Sequence, residues 1–249
     1  MVRFIVPLQS PQASANWSKV SRLCNITLES ITNQTTGDFE VALVCNETPE
    51  GFKPHDKIKV IHTELPPPSG GGEIRMADKW KKVRIGLAHY RNTEDSYYMV
   101  VDADDRVSKN LARFVNEQNY KPGWYVDRGY IYDYGFPWIF VHDRLDLLCG
   151  TSSVVFCPSS LLPSGPEDPA DNNYIIRYGH TRIKKYFDEQ GTPLKAMPFS
   201  GSVYMTHTGE NHTRYFYLGI QSMREQLKRV FKMRPITRRI KEEFNLWDI

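Results

Sequence analysis

The sequence predicts an α/β fold: a mixed sheet, parallel in its N-terminal βαβ units and flanked by helices, with a small second sheet after it. Three observations carry this. Strand-like and helix-like segments alternate from the first residues, as right-handed βαβ units do. Tyr97-Tyr98-Met99-Val100-Val101 is apolar along its whole length, as a central strand buried on both faces must be, and it ends in Asp102, Asp104 and Asp105. The second half is aromatic-rich, with short strand-like runs in a hairpin-like arrangement.

Phe4-Ile5-Val6 is the first strand and stops at Pro7. From Trp17 to Ile31 the apolar residues Val20, Leu23, Cys24, Leu28 and Ile31 recur at helical spacing. Phe39–Cys45 and Lys57–His62 are the next strands. Pro66-Pro67-Pro68-Ser69-Gly70-Gly71-Gly72 cannot continue either element, and is either a plain surface loop or one that orders around substrate. Glu73 to Arg91 returns to helical spacing and carries Lys79, Lys81, Lys82 and Arg84. Beyond the Asp-ended strand come strands at Trp124–Val126, Tyr130–Tyr132 and Val154–Phe156. A short helix at Thr181–Gln190 is stopped by Gly191, and a strand at Gly201–Thr206 ends at His207. From Tyr215 the chain reads as mostly helical.

The 249 residues suffice for one large α/β domain or two small ones. A net charge of +3 is too small to argue for nucleic acid. The apolar start is too short for a signal peptide, and no run reaches the roughly 20 apolar residues of a membrane span. Cys24, Cys45, Cys149 and Cys157 lie in or beside apolar runs without CxxC spacing, so buried thiols in a reducing compartment are expected rather than zinc. The expected location is cytoplasmic.

Ligands of open α/β sheets sit beyond the carboxyl ends of the strands. Oxygen ligands one residue apart at such an end suit a hard divalent cation that also bridges phosphate. The competing view of Asp102 and Asp104 is a solvated turn, in which the clustered carboxylates would repel one another.

The ordered set Ile5-Val6-Pro7, the strand into Asn46-Glu47, the basic helix, Val101-Asp102-Ala103-Asp104-Asp105, Cys149-Gly150-Thr151-Ser152, the helix before Gly191, and Tyr204-Met205-Thr206-His207 resembles the nucleotide-diphospho-sugar glycosyltransferases of the GT-A fold, of the family 2 type. The resemblance implies a Rossmann-like catalytic domain over 1–215, with a nucleotide-binding half at 1–105 and an acceptor-binding half at 106–215. The basic amphipathic tail 216–249 is either a docked helix or a peripheral contact with the inner face of a membrane. The implied donor is a nucleotide sugar, UDP first, and the acceptor is a glycan or a lipid-linked hydroxyl.

The implied cofactor is Mn²⁺ or Mg²⁺ on Asp104, with Asp102 on ribose or metal-bound water and His207 completing the sphere; His212 is the fallback. Pro7, Leu8, Gln9, Asn46, Glu47, Lys82, Arg84, Asp102 and Ala103 are implied to hold the nucleotide. Asn46-Glu47 departs from the Asp common in the family at that loop. The Glu-Asp pair that inverting members carry at the start of the helix before Gly191 is replaced by Gly179-His180. His180 is therefore a candidate general base, with Asp171 or Asp168 as alternatives beside Glu167. Asp143 and Asp146 are a third option, better suited to orienting sugar. Trp138 and Tyr134 are candidates for stacking on sugar, with Gly150 and Thr151 beside the donor. Two other classes compete: a sugar-nucleotidylyltransferase, disfavoured because Gln9–Ser14 lacks glycine, and a non-catalytic nucleotide-sugar or glycan-binding protein.

Overall fold

Val2–Pro7 forms β1, buried from end to end because no side chain in it needs water on either face except Arg3, which is ion-paired. The computed structural model describes residues 1–169, 173–206 and 232–247. β1 pairs in parallel with β2 (Phe39–Cys45) on one side and with β4 (Ser96–Val100) on the other, and β3 (Ile58–His62) extends the sheet beyond β2. Beyond β4 run antiparallel β9 (Ser153–Cys157), then β6 (Gly123–Tyr125), then β10 (Lys195–Ala196) at the far edge. The result is a seven-stranded mixed sheet ordered β10-β6-β9-β4-β1-β2-β3.

The chain leaves β1 for β2 on one side and later returns to β4 on the other. That reversal opens a crevice at the carboxyl ends of β1 and β4, where sheets of this kind place their ligands. Alternation along β1 divides the core. Val2, Phe4 and Val6 face helix α1 (Trp17–Thr32) through Val20, Cys24, Leu28 and Ile31. Ile5 faces α2 (Gly72–Ala88) and α4 (Tyr174–Glu189) through Val83, Leu87, Ile176 and Ile183. Asn16 caps α1 by accepting from Lys19 N at 2.9 Å. The helix α3 (Leu111–Gln118) lies between β4 and β6 in the chain.

A five-stranded second sheet is ordered β12 (Met233–Pro235), β8 (Trp138–His142), β7 (Gly129–Asp133), β11 (Ser202–Thr206), β5 (Arg106–Val107). The aromatic strands expected at Trp124–Val126 and Tyr130–Tyr132 both form, but they do not pair with each other. β6 joins the large sheet against β9, and the hairpin partner of β7 is β8. The helix expected from Thr181 forms; in α4 a further helical stretch from Tyr174, capped by Asn173 accepting from Ile175 and Ile176, precedes it, and the non-helical backbone of Gly179 separates the two.

Much of the basic tail, 216–231, lies outside the described residues. The described part adds β12 to β8, and helix α5 (Arg238–Phe244) buries Phe244 against Tyr130. All four cysteines are buried free thiols. No helix among the described residues is long and apolar enough to cross a membrane.

Candidate functional site

A cavity of about 220 Å³ opens in the crevice between β1 and β4. Asp102, Ala103 and Asp104 form its floor as the chain leaves β4. The segment after β1 (Pro7, Leu8, Gln9) and the start of α1 (Val20, Leu23) form one wall, and α2 with His180 forms the other.

The turn carrying the aspartates is fixed from beneath. The Asp105 carboxylate is fully buried and accepts from Thr151 Oγ1 at 2.6 Å, Cys149 Sγ at 3.1 Å and Met205 N at 3.0 Å. Asp102 N donates to the same Thr151 hydroxyl at 3.0 Å. The buried Arg106 guanidinium donates to the carbonyls of Asp104 and Asp105. Asp105 thus ties β4, the segment before β9, and β11 together. Burial and the charges of Asp104 and Asp102 push its proton affinity up, while the Thr151 and Met205 donors pull the other way. Asp104, which faces the cavity, is pushed up to about 6, chiefly by burial and then by Asp102, with Arg106 and Lys79 opposing.

Lys79 on α2 makes an ion pair with Asp102 Oδ1. Burial weighs against its charge, but Asp102, Asp105 and Asp104 outweigh that and raise its pKa. Gly150 makes the pair possible: a Cβ there would lie 2.7 Å from Asp102 Oδ2 and 3.3 Å from Lys79 Nζ. Lys82, one turn on, also lines the cavity, but its ammonium is held 2.8 Å from Asp78 Oδ2 and is almost fully buried.

His180 reaches the cavity through the kink in α4. Gly179 has φ 54° and ψ −172°, a conformation essentially confined to glycine, and its Cα packs toward the Trp80 ring. Burial, with help from Lys79, lowers the His180 pKa below its ordinary 6.5 against the opposing fields of Asp102 and Asp146. The imidazole is therefore neutral at neutral pH and able to accept a proton. Gly179→Ala is expected to destabilise the fold by about 1–3 kcal/mol. It should also displace His180, which urea unfolding together with the imidazole's NMR signals would reveal.

The structure brings Pro7, Leu8, Gln9, Lys82, Asp102, Ala103, Asp104, Gly150 and His180 to this one cavity. It gives the other candidates different partners. Asn46 Nδ2 is bound to the carbonyls of Thr63 and Leu65, and Glu47 pairs with Gln12 Nε2, so neither lines the cavity. Arg84 points away and donates to the Asp168 carbonyl at 3.1 Å. The half-buried Asp168 accepts from Ser164 N and Oγ, and Glu167 pairs with Lys81. Thr151 is buried beneath the floor rather than beside a ligand.

Tyr134 and Trp138 belong to the second sheet and its loop; Tyr134 lies under Lys19, and neither lines the cavity. Asp143 is held by Lys232, and the buried Asp146 by Arg144. Asp171, His207 and His212 lie outside the described residues. Lys79 was not singled out from the sequence. The available signal was its place on the face of α2 that continues through Val83 and Gly86, which are buried.

No protein-family model matches the chain, and no curated protein matches it. Among solved structures it is similar to two of S. aureus TarS. They are 14% and 12% identical, with TM-scores of 0.42 and 0.41, over 82% and 84% of this chain and 60% and 37% of theirs. The chain thus spans less than two thirds of the TarS chains it matches. It is also similar to Francisella tularensis 2-C-methyl-D-erythritol 4-phosphate cytidylyltransferase, 14% identical with a TM-score of 0.40, over 82% of this chain and 89% of that one.

Proposed function

We propose that the chain is a glycosyltransferase of the GT-A type. It would move a sugar from a nucleoside-diphosphate donor, UDP first, to a glycan or lipid-linked hydroxyl, with inversion and with a divalent cation. One observation carries this reading: a single cavity joins an apolar slot (Pro7, Leu8, Ala13, Val20, Leu23) to a cluster of Asp102, Asp104, Lys79 and His180. The slot suits a flat base, and the charged end suits a diphosphate.

Asp102 and Asp104 fit a hard cation in donor type and in electrostatics. Both offer oxygen, and positive charge would relieve the repulsion from Asp102 that, after burial, raises the Asp104 pKa. Among the described residues no three His, Cys, Asp or Glu side chains converge as a ready-made cage, so these two carboxylates would hold the ion together with donor oxygens. A bound Mn²⁺ or Mg²⁺ would offset charge growing on the diphosphate leaving group.

The remaining roles belong to the chain itself. The slot residues exclude water from the base. Lys82 holds Asp78 in the wall. Neutral His180 would take the acceptor hydroxyl proton on a ring nitrogen. A nucleotidylyltransferase is less well supported, since Gln9–Ala15, the segment after β1, has neither a glycine nor a basic side chain to cradle a triphosphate.

The test is a melting-temperature screen with UDP, GDP and their sugars in Mn²⁺, Mg²⁺ or chelator, followed by donor turnover. A cation-dependent rise in Tm with a nucleoside diphosphate is expected. No cation-dependent shift with any of them would overturn the reading. A shift without donor hydrolysis or transfer would point to a binding protein.

A further inference from the structure

Lys79 stands where the transferase reading calls for a cation. It occupies the buried-facing side of α2, so its side chain enters the cavity, and about three quarters of both Lys79 and Asp102 is covered. One carboxylate oxygen of Asp102 is committed to the ammonium. The other lies against Gly150, where a Cβ would come within 2.7 Å of it. A divalent ion approaching Asp102 therefore meets an ammonium already in contact with the carboxylate, and two cations at one oxygen repel in a partly desolvated site. Diphosphate oxygens are strong acceptors for an ammonium, and lysine binds phosphate readily as a point charge.

We propose that Lys79 is a diphosphate-binding cation of this site, beside Arg75, which lines the same cavity, and that it keeps Asp102 occupied until a diphosphate arrives. The ammonium then turns from Asp102 to phosphate oxygens and releases the carboxylate to the divalent ion. This rests on the nucleotide-sugar reading. It goes further in making cation and donor bind as a coupled pair, each raising the affinity for the other. No covalent step is involved; one ion pair is exchanged for another.

The experiment uses the full chain as wild type, Lys79→Met and Lys79→Arg, each checked for a cooperative thermal melt. Free Mn²⁺ binding without nucleotide is read by electron paramagnetic resonance. UDP and GDP binding in chelator is read by titration calorimetry. Lys79→Met is expected to bind Mn²⁺ alone at least tenfold more tightly than wild type, while Lys79→Arg, which keeps the charge, stays near wild type. In chelator, Lys79→Met is expected to bind nucleoside diphosphate at least tenfold more weakly. Should Lys79→Met fail to melt cooperatively, Lys79→Gln takes its place.

Unchanged Mn²⁺ affinity in the charge-removing variant, with nucleotide binding intact, would overturn the proposal and leave the transferase reading standing. Failure of wild type and variants alike to bind any nucleoside diphosphate, with or without Mn²⁺, would overturn both.

Discussion

Asp104→Asn is expected to lower donor turnover by about 10²–10³-fold, the usual cost of removing one group that stabilises transition-state charge. It is also expected to raise the melting temperature of the ligand-free protein. The two effects share a cause. Asp104 faces the cavity beside Asp102 and above the buried Asp105, and its carboxyl is pushed up to about 6 by burial and by Asp102. Amide substitution removes that repulsion and with it the group that would hold the cation. A gain of roughly 1–2 kcal/mol, or a few degrees in Tm, is the scale for relieving one such contact in a domain of this size. Scanning calorimetry and a radiolabelled-donor assay read the two quantities separately. A variant that loses both stability and turnover would mean that Asp104 is structural.

His180→Ala is expected to cost about 10²–10⁴-fold in transfer to acceptor, the range for a general base. Donor and cation binding should change little, because the carboxylates and the slot remain. The pH profile gives a second readout. Burial lowers the His180 pKa below 6.5. The neutral imidazole, the base in the proposed reaction, thus remains the major form at pH 6.5 and gives way only below it. Wild-type kcat/KM is therefore expected to be more than half-maximal at pH 6.5 and to fall beneath it, and the variant is expected to keep only the part of that limb due to Asp104, whose carboxyl is pushed up to about 6. An unchanged limb in the variant would transfer the role to another group.

Much of the N-terminal half was legible because its elements are periodic. β1, α1, β2, β3 and β4 each show their burial pattern in sequence, and the Asp run marks the end of β4. What was not legible depended on partners far along the chain. The three aspartates are alike in sequence, yet Asp105 is buried because Thr151 and Met205 supply its donors, while Asp104 faces the cavity. Of five basic residues on α2, helical phase places Lys79 and Lys82 inward and Lys81 toward Glu167, a distinction that composition alone hides. Gly179 interrupts α4 with a non-helical φ and ψ, and the helical stretch ahead of it, from Tyr174, was the part not legible. β6 and β7 are adjacent in sequence but separate in space, because their pairing is decided by β9 and β11.

The latch on Asp105 also bears on how the chain reaches its native state. Its bond to Met205 joins residues 100 apart, and that to Thr151 joins residues 46 apart. Nearby, the Glu243 carboxylate accepts from the Asn110 amide across 133 residues. Contacts of such reach reward the chain only after large loops have closed, so they form late and slow the folding of the topology that needs them. The carboxylate floor thus depends on long loop closures that the β1-α1-β2 core does not need. An emerging or truncated chain ending before β11 would carry the aspartates without the Met205 donor that helps fix their turn.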